Sequence, residues 1–523
     1  MAKSDLDKQA AKESKFIAEE FNLYEINLVS RIGTTRTLDL GVIYTNLVVI
    51  ENLNKNVLRV QVTLVDAEGW VETFPIIGDE TLILTFANPH AKKPEDFVTY
   101  QRFRIYDLQS SPSTKQFGEY TLFGVSEEYV TNMQTRISKR YTGLYSDAID
   151  DLLVGGLGTY KETTIETTKT PQSVIVPNWT PFDAINFMAS RSLSANAMEV
   201  SNEDTSNFQM TTGSFFVLYE KLNSGFYFES IENMIQRQKD NDLIVYFYAP
   251  RQVDGMVHEN VAAMQGVEKF EILNTFDTMR NVGRGMYASR LIAYDPIRMK
   301  YEEVKYDYFK DANLKTVENR AFHDFVTMDG NKMISVGSDM LGTHKSMTKL
   351  ATSTKFHDVM FSPPPPKPPD LPPTASWSTP GVGVTSKTFQ DREATNNHVE
   401  DWLLQRYAQE QEFDNVRVKL TVAGNASRHV GDLIWFNLPS YIPTDDFGIL
   451  QHELYGGYYM VSKIEHIITQ NRYVMEMEIV KNSFLVDLPG NSLGYDRESS
   501  AEAENTRVQG ALADLDRGVQ RGF

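Results

Sequence analysis

The alternation of apolar and polar residues is clearest between residues 416 and 487. The first part of this stretch, VRVKLTVAGNASRHVGDLIWFNLP, predicts two strands, 416–422 and 430–439, separated by a Gly-Asn turn. The second part, GGYYMVSKIEHIITQNRYVMEMEIVKNSF, predicts a hairpin that turns at residues 469–472. A period of two is typical of half-buried antiparallel strands.

The N-terminal third shows the same alternation and then changes its period. At Ser126 the period becomes 3.6, and the pattern predicts one long helix that uses Ser126 as its N-cap. We expect residues 23–154 to form a first domain, a β-barrel or small sandwich followed by this helix. The predicted strands are 24–32, 37–53, 57–69, 78–89 and a hairpin of 97–111 with 116–130; the apolar helix positions are Tyr129, Met133, Ile137, Tyr141 and Leu144.

The two β-rich stretches resemble each other. LRVQVTL followed by GDETLILTFANP parallels VRVKLTV followed by GDLIWFNLP, and the hairpin 103–130 parallels 458–484. Any two antiparallel barrels can give similar patterns, so this alternative stays open at the level of sequence. If the repeat is real, the second barrel begins within 268–309 and resumes after an insertion.

Between the two barrels the pattern predicts a small α+β domain at 155–267. A helix begins after Thr180 as N-cap with Pro181 at its first position, and a hairpin turns at Asn223-Ser224-Gly225. We expect this hairpin to be exposed and to face a partner protein. Its candidate contact residues are Phe216, Tyr219, Asn223 and Phe226.

The remaining segments are a charged N-terminal arm (1–22), an irregular insertion (310–395) and a C-terminal tail (488–523). The insertion contains the Pro-rich stretch 361–380, which favours polyproline II. Residues 396–415 predict a helix with Val399, Trp402, Leu403, Arg406 and Tyr407 on one face, and the second barrel then continues to residue 487. The fold class is therefore β-dominated and multidomain (α+β), with two homologous tube-type antiparallel β-barrels, the second split by an insertion.

Composition narrows the function classes. At 523 residues the chain is long enough for several domains. It has no apolar run long enough for a membrane-spanning helix, no secretory leader and no cysteine, which excludes disulfides and thiol catalysis. The formal net charge of −19 argues against a protein that coats nucleic acid, but a like-charged wall lets DNA slide past because it repels phosphates.

No catalytic, metal or cofactor motif emerges. His452-Glu453 begins like a zinc-protease motif, but Gly456 stands where the second histidine belongs; His466 lies within a strand. The glycines at 155–158, 283 and 285 lack the Lys-Ser/Thr of a phosphate loop. Asp432, Asp445 and Asp446 fit turn chemistry better than a carboxylate pair, and Trp402 and Trp435 fit core positions better than sugar platforms.

Six segments of the chain carry a resemblance to a known family: 76–86, 181–195, 214–235, 285–296, 430–440 and 456–484. No single segment is as specific as a metal motif, but together they follow the family's order. They resemble the central baseplate hub protein of T-even-type contractile phage tails, and more distantly the hub regions of type VI secretion spikes and other contractile injection systems.

The resemblance implies a structural virion protein and not an enzyme. It implies a homotrimer whose two barrels per chain form a pseudo-sixfold ring, which adapts the sixfold tail tube to the threefold central spike and leaves an axial channel for DNA without specific binding. The implied partners are the spike protein, the tail tube or a tube initiator, and, less directly, baseplate wedge and tape-measure proteins. The implied location is the virion tail baseplate, with assembly in the host cytoplasm.

Long hairpins can join neighbouring barrels edge to edge and so cover exposed strand edges. We expect the inter-barrel interface to involve residues of the two long hairpins. Two other functions remain open: a tail-associated enzyme that degrades cell wall or polysaccharide, and a carbohydrate-binding β-protein. The candidate interface residues are Phe103, Ile105, Tyr120, Leu122, Tyr458, Met460, Tyr473 and Met475.

Overall fold

The computed structural model describes most of the chain between residues 21 and 484. The predicted N-terminal arm (up to residue 20), the Pro-rich stretch, Asp445, Asp446 and the C-terminal tail lie outside the described residues. The described ranges are 21–30, 36–74, 76–87, 98–111, 118–169, 172–195, 214–239, 244–248, 265–295, 299–308, 328–329, 331–332, 347–352, 399–413, 415–440, 452 and 454–484.

The first seven strands surround the N-terminal core, and we call them the first barrel. Their order in the sheet is β2-β1-β5-β6-β7-β4-β3, with antiparallel pairing throughout. Every second residue of β4 is buried, as the alternation in the sequence predicts. The strands are β1 Asn22–Ser30, β2 Arg36–Asp39, β3 Tyr44–Asn52, β4 Arg59–Asp66, β5 Thr81–Ala87, β6 Val98–Ser111 and β7 Gly118–Ser126; a short helix, α1 Trp70–Thr73, precedes β5.

The predicted long helix after Ser126 is wrong. Helix α2 (Glu127–Gln134) is followed by a strand, β8 (Ile137–Gly143), then by helix α3 (Tyr145–Asp150) and one π-helical turn (Asp151–Gly156). Ile137 and Tyr141 are four residues apart, a spacing that fits a helix face and also one face of a strand. The segment forms a strand because it pairs antiparallel with β10 (Gln172–Trp179).

The central α+β segment contains the predicted helix and hairpin. Thr180 caps α4 (Pro181–Ala189): its Oγ1 accepts a hydrogen bond from the Asp183 N–H at 3.2 Å. The hairpin turns with Asn223 and Gly225 at positive φ, as this turn requires. The remaining elements are β9 Thr163–Ile165, β11 Phe216–Lys221, β12 Gly225–Ser230, α5 Ile231–Lys239 and β13 Ile244–Tyr248.

The second barrel is closed and has six strands. Its order is β21-β20-β13-β14-β19-β22, and β22 pairs back to β21. Strand β13 comes from the segment predicted as the α+β domain and pairs in parallel with β20 and β14, so that domain boundary does not hold for β13. The other strands are β14 Gly266–Asn274, β19 Val416–Ala423, β20 Leu433–Asn437, β21 Gly457–Thr469 and β22 Tyr473–Lys481.

The segment 268–309 was predicted to supply the first strands of the second barrel, and this is correct only for β14. Strands β15 (Ala288–Asp295) and β16 (Lys300–Asp307), preceded by helix α6 (Thr278–Gly283), form a separate sheet with β18 (Met347–Thr352). Strand β18 lies in the insertion that was predicted to be irregular. Alternation indicates a strand but does not say which sheet the strand joins, because that depends on distant partners.

Two further elements connect this sheet to the rest of the chain. Helix α7 (Val399–Phe413) packs against β15 and β16. Of the five residues predicted on its inner face, Val399, Trp402 and Arg406 are buried, whereas Leu403 and Tyr407 are half-buried. A short strand of the insertion, β17 (Asn331–Lys332), pairs with β23 (Ser483–Phe484) at the end of the second barrel.

The predicted internal repeat is confirmed. In the first barrel β5, β6, β7, β4 and β3 are neighbours in that order, and in the second β20, β21, β22, β19 and β14 follow the same order. Both long hairpins have a β-bulge at the same place, after Ile105 and after Val461. In each barrel the N–H of that residue donates across the sheet, to the Glu80 carbonyl at 3.0 Å or the Asp432 carbonyl at 2.9 Å.

Candidate functional site: the seam between the barrels

The two barrels share one continuous sheet because β3 of the first pairs with β21 of the second. Seven antiparallel pairs form this seam, from Lys463 opposite Asn52 to Thr469 opposite Asn46. Just before the seam, the Leu53 N–H donates to the Ser462 carbonyl at 2.9 Å. The seam places strand edges of both barrels against each other and removes them from solvent.

The predicted interface residues lie mostly beside the seam and not within it. Met460 and Tyr458 are in β21, but they lie opposite β20 and not opposite β3. These side chains pack in the chain's own core, and one of them also contacts the first barrel: the Tyr473 ring lies edge-on to that of Phe86 in β5, 5.8 Å between centroids. For the other residues an inter-barrel contact stays a prediction. Phe103, Ile105, Leu122, Tyr458, Met460, Tyr473 and Met475 are buried, and Tyr120 is half-buried.

Strand length is the signal that could have located the seam. Strand β21 has 13 residues, whereas its neighbour β20 has five. Because β20 covers only the first part of β21, the second part needs another partner along the same edge. The backbone pairing of β21 with β3 therefore follows from the difference in strand length.

The hairpin predicted to face a partner protein is largely internal. Phe216, Tyr219 and Phe226 are buried in the core of this chain, so these side chains do not form an exposed contact surface. Asn223 is half-buried at the turn. The apolar pattern of the sequence does not distinguish an internal hairpin from one that faces a partner, because an aromatic strand residue can be covered by its own chain or by another chain.

A buried carboxylate stabilises the point where both barrels and the α+β hairpin meet. Glu51, in β3, is fully buried. Its oxygens accept hydrogen bonds from the Leu222 N–H at 2.9 Å and the Val430 N–H at 3.2 Å. His429 Nδ1 lies 3.2 Å from Glu51 Oε1, and His466 Nε2 lies 3.7 Å from the same atom.

The environment keeps Glu51 ionised. Burial alone raises the pKa of a carboxyl group, but the charges and hydrogen bonds of His429 and His466 outweigh burial here and hold the pKa of Glu51 well below its usual range. His466, predicted to be structural, is buried in the seam, and its Nδ1 lies 2.9 Å from the Tyr473 hydroxyl. This polar cluster is structural: it joins three parts of the fold.

A second buried cluster joins the first barrel to the α+β segment. Lys161 Nζ lies 2.7 Å from Glu128 Oε2 and 2.6 Å from Glu220 Oε1. Glu220 also accepts hydrogen bonds from the Ser126 hydroxyl at 2.6 Å and the Leu58 N–H at 3.0 Å. Ser126 occupies the predicted N-cap position of α2, but its side chain makes no capping hydrogen bond because it bonds Glu220 instead.

Among the described residues, those considered for catalysis or sugar binding in the sequence lie in a turn or in the core. Asp432 Oδ2 accepts a hydrogen bond from the His429 N–H at 3.0 Å, as turn chemistry predicts. Trp402 and Trp435 are buried. Within the described part of the chain, no group of three or more His, Asp or Glu residues is placed to bind a metal ion. The helices described there include none that is long and apolar enough to cross a membrane.

Comparisons with known proteins give similarity at the level of solved structures. No family model and no curated protein matches the sequence. The chain is similar to a tail protein from Neisseria meningitidis (TM-score 0.44, 8% identity, 88% of this chain and 97% of that one). It is also similar to a 43 kDa tail protein of prophage MuSo2 from Shewanella oneidensis (0.43, 8%, 88% and 98%). A third is an Escherichia coli component of the type VI secretion system, described as structurally similar to T4 phage tail proteins (0.34, 6%, 88% and 76%).

Proposed function

We propose that this chain is a structural baseplate hub protein of a contractile phage tail, in which three copies form a ring of six barrels. The observation that supports this most directly is the seam. It joins two barrels of the same strand order edge to edge within one chain. A contact that already joins two equivalent units can join further units if it recurs between chains.

A ring of this kind would match two symmetries at once. Six similar barrels present six similar edges to a sixfold tail tube, whereas the segments that occur once per chain present a threefold surface to a central spike. The central α+β segment and the sheet of β15, β16 and β18 each occur once among the described residues. The axial opening of the ring would let DNA pass, and the acidic net charge of the chain disfavours DNA binding. The resemblance of the segments described above to baseplate hub proteins supports the same proposal.

The proposal is tested by mass and by imaging. Light scattering of the purified protein is expected to give three 59.5 kDa chains, and electron microscopy is expected to show rings with six lobes and a central hole. A protein that stays monomeric over the whole accessible concentration range would contradict the proposal. Measurable hydrolysis of peptidoglycan or polysaccharide would instead favour the tail-associated enzyme.

A further inference from the structure

In the two barrels, β6 and β14 are each covered along only part of one edge by a strand of the described residues. Strand β5 pairs with β6 only as far as Arg104, and the Ile105 N–H then donates to the Glu80 carbonyl just before β5. Residues 107–111 of β6 therefore pair only with β7. Strand β13 covers β14 only at Gly266 and Val267, so residues 269–274 pair only with β19. Among the described residues, the backbone groups along one side of these two stretches have no partner strand.

These two edges correspond to the two strands that form the seam inside the chain. A row of directly paired residues crosses four strands in each barrel. In the first barrel the row is Ile105, Gly124, Val60 and Val49, and in the second it is Val461, Ile479, Val418 and Ile272. Strand β6 therefore takes the place of β21, and β14 takes the place of β3.

The exposure of the β14 edge agrees with a missing neighbour. Val49, covered by β21 in the seam, is fully buried, whereas its counterpart Ile272 is 38% exposed. Leu273 next to it is 43% exposed, and Phe276 and Met279, which follow β14, are 69% and 82% exposed. An unpaired edge beside a group of exposed apolar side chains is typical of a surface that another chain covers.

We propose that β14 of one copy pairs antiparallel with β6 of a second copy, repeating between chains the β3–β21 seam. This inference rests on the proposed ring and names the surface that would close it. In the seam His466 lies opposite Val49. Ser110 lies five residues after Ile105, as His466 lies five residues after Val461, so the register places Ser110 of one copy opposite Ile272 of the next.

The contact is head-to-tail, because each chain offers a different edge at each side. A head-to-tail contact closes into a ring if its rotation fits and otherwise gives an open filament. Each chain already contains one such contact, so a closed ring of three chains would contain three seams within chains and three between chains. In such a ring every β6 edge is paired with a β14 edge of the next copy. No edge of this kind remains for a fourth chain, which limits the assembly to three copies.

Disulfide cross-linking tests the register. The natural chain has no cysteine, so a protein with Ser110→Cys and Ile272→Cys has only the two introduced thiols. Directly opposite residues in an antiparallel pair are about 4.5–5.5 Å apart at Cα, within the range for a disulfide. Mild oxidation is expected to give covalent dimers and trimers on a denaturing gel, and reduction is expected to restore single chains.

The matched control pairs Ser110→Cys with Lys269→Cys. Lys269 is exposed on the same strand, but it is three residues from Ile272, about 10 Å along the strand, and on the opposite face. It should cross-link far less. Both single-cysteine proteins should give no trimer, and thermal unfolding under reducing conditions should show that all variants fold.

The outcomes separate this inference from the proposed function. A trimer by light scattering that cross-links no better through Ile272 than through Lys269 would overturn the edge pairing and leave the ring standing. Register-specific cross-links in a ladder longer than three chains would support the edge pairing and contradict the closed ring. A monomer without cross-links at every concentration would overturn both.

Discussion

Lys481 Nζ lies 2.5 Å from Asp329 Oδ2, and both side chains are fully buried. This ion pair fixes a short piece of the insertion to the end of the second barrel. Asp329 Oδ1 also accepts a hydrogen bond from the Tyr458 N–H at 2.8 Å, and Lys481 Nζ also donates to the Gly456 carbonyl at 2.5 Å. Burial lowers the pKa of Lys481, and the nearby Asp329 charge opposes that shift.

Replacing one partner of this pair should cost more than replacing both. Asp329→Asn leaves the Lys481 charge buried without its counter-ion, and we expect a loss of about 3–5 kcal/mol in the free energy of unfolding. The double variant Asp329→Asn with Lys481→Met removes the charge as well and should recover much of that loss. Urea denaturation of the three proteins measures the difference, and a double variant no more stable than Asp329→Asn would contradict this account.

Glu51 should make the fold sensitive to acid. Its pKa is depressed in the folded state, so its contribution to stability is present above the pKa of the unfolded carboxyl, about 4.3, and is lost as the pH falls below that value. We expect the free energy of unfolding to decrease through this range. The measurement is urea denaturation at a series of pH values.

Glu51→Gln is the matched control for this pH dependence. The variant should be less stable at neutral pH by about 1–3 kcal/mol, because the Leu222 and Val430 N–H groups lose a charged acceptor. It should also lose stability less steeply on acidification than the natural protein. Equal slopes in the two proteins would show that other carboxyl groups cause the acid sensitivity.

Substitution of Lys161 tests how strongly the burial of an ion pair affects its contribution to stability. Lys161→Met leaves Glu128 and Glu220 without their shared cation, and we expect a loss of about 3–5 kcal/mol at neutral pH. The variant should recover part of this as the pH falls, because burial raises the pKa of Glu220, which without its cation then becomes protonated. Chemical denaturation at neutral and mildly acidic pH tests both statements.

Lys139 supplies the control for Lys161. Its Nζ lies 2.7 Å from Asp151, as close as in the buried cluster, but both side chains are half exposed. Lys139→Met should change stability by no more than about 1 kcal/mol, because water screens the pair. A loss equal to that of Lys161→Met would mean that distance and not burial decides.

Gly225 is expected to tolerate no side chain. Its φ is +98°, and a Cβ would overlap the Glu162 carbonyl oxygen, which accepts the Phe226 N–H at 2.8 Å. Gly225→Ala should cost about 1–3 kcal/mol for the backbone conformation and a similar amount for the overlap. Gly283→Ala is the control, because a Cβ there meets nothing within 4 Å; its effect should be below about 1 kcal/mol, as measured by thermal unfolding.

The local pattern was a good guide to elements and a poor guide to their neighbours. Alternation correctly predicted the hairpin of β21 and β22 and the turn between them, because burial on one face imposes a period of two. It failed at Ile137 and Tyr141, whose spacing suits a strand and a helix equally. The parallel strand β18 was missed because its partner β15 is distant in the chain.

The candidate site was also predictable only in part from the sequence. The repeat was visible in the sequence, since both copies keep the Gly-Asp element and the long hairpin. The seam was not, because it is made by backbone groups of β3 and β21, and every residue type except proline carries those groups. Nor could the sequence show that Phe216 and Tyr219 are internal.

Sequence alone thus determined two copies of one β arrangement and an interrupted second copy, because periodicity and turn residues are local properties. Tertiary structure decided which edges meet. It brought Glu51 to two histidines more than 370 positions away in the chain (378 for His429) and placed Asp329 against Lys481. It also left part of one edge of β6 and of β14 without a strand neighbour among the described residues. Such contacts form only when long loops close. The entropic cost and the geometry of that closure cannot be read from a short stretch of sequence.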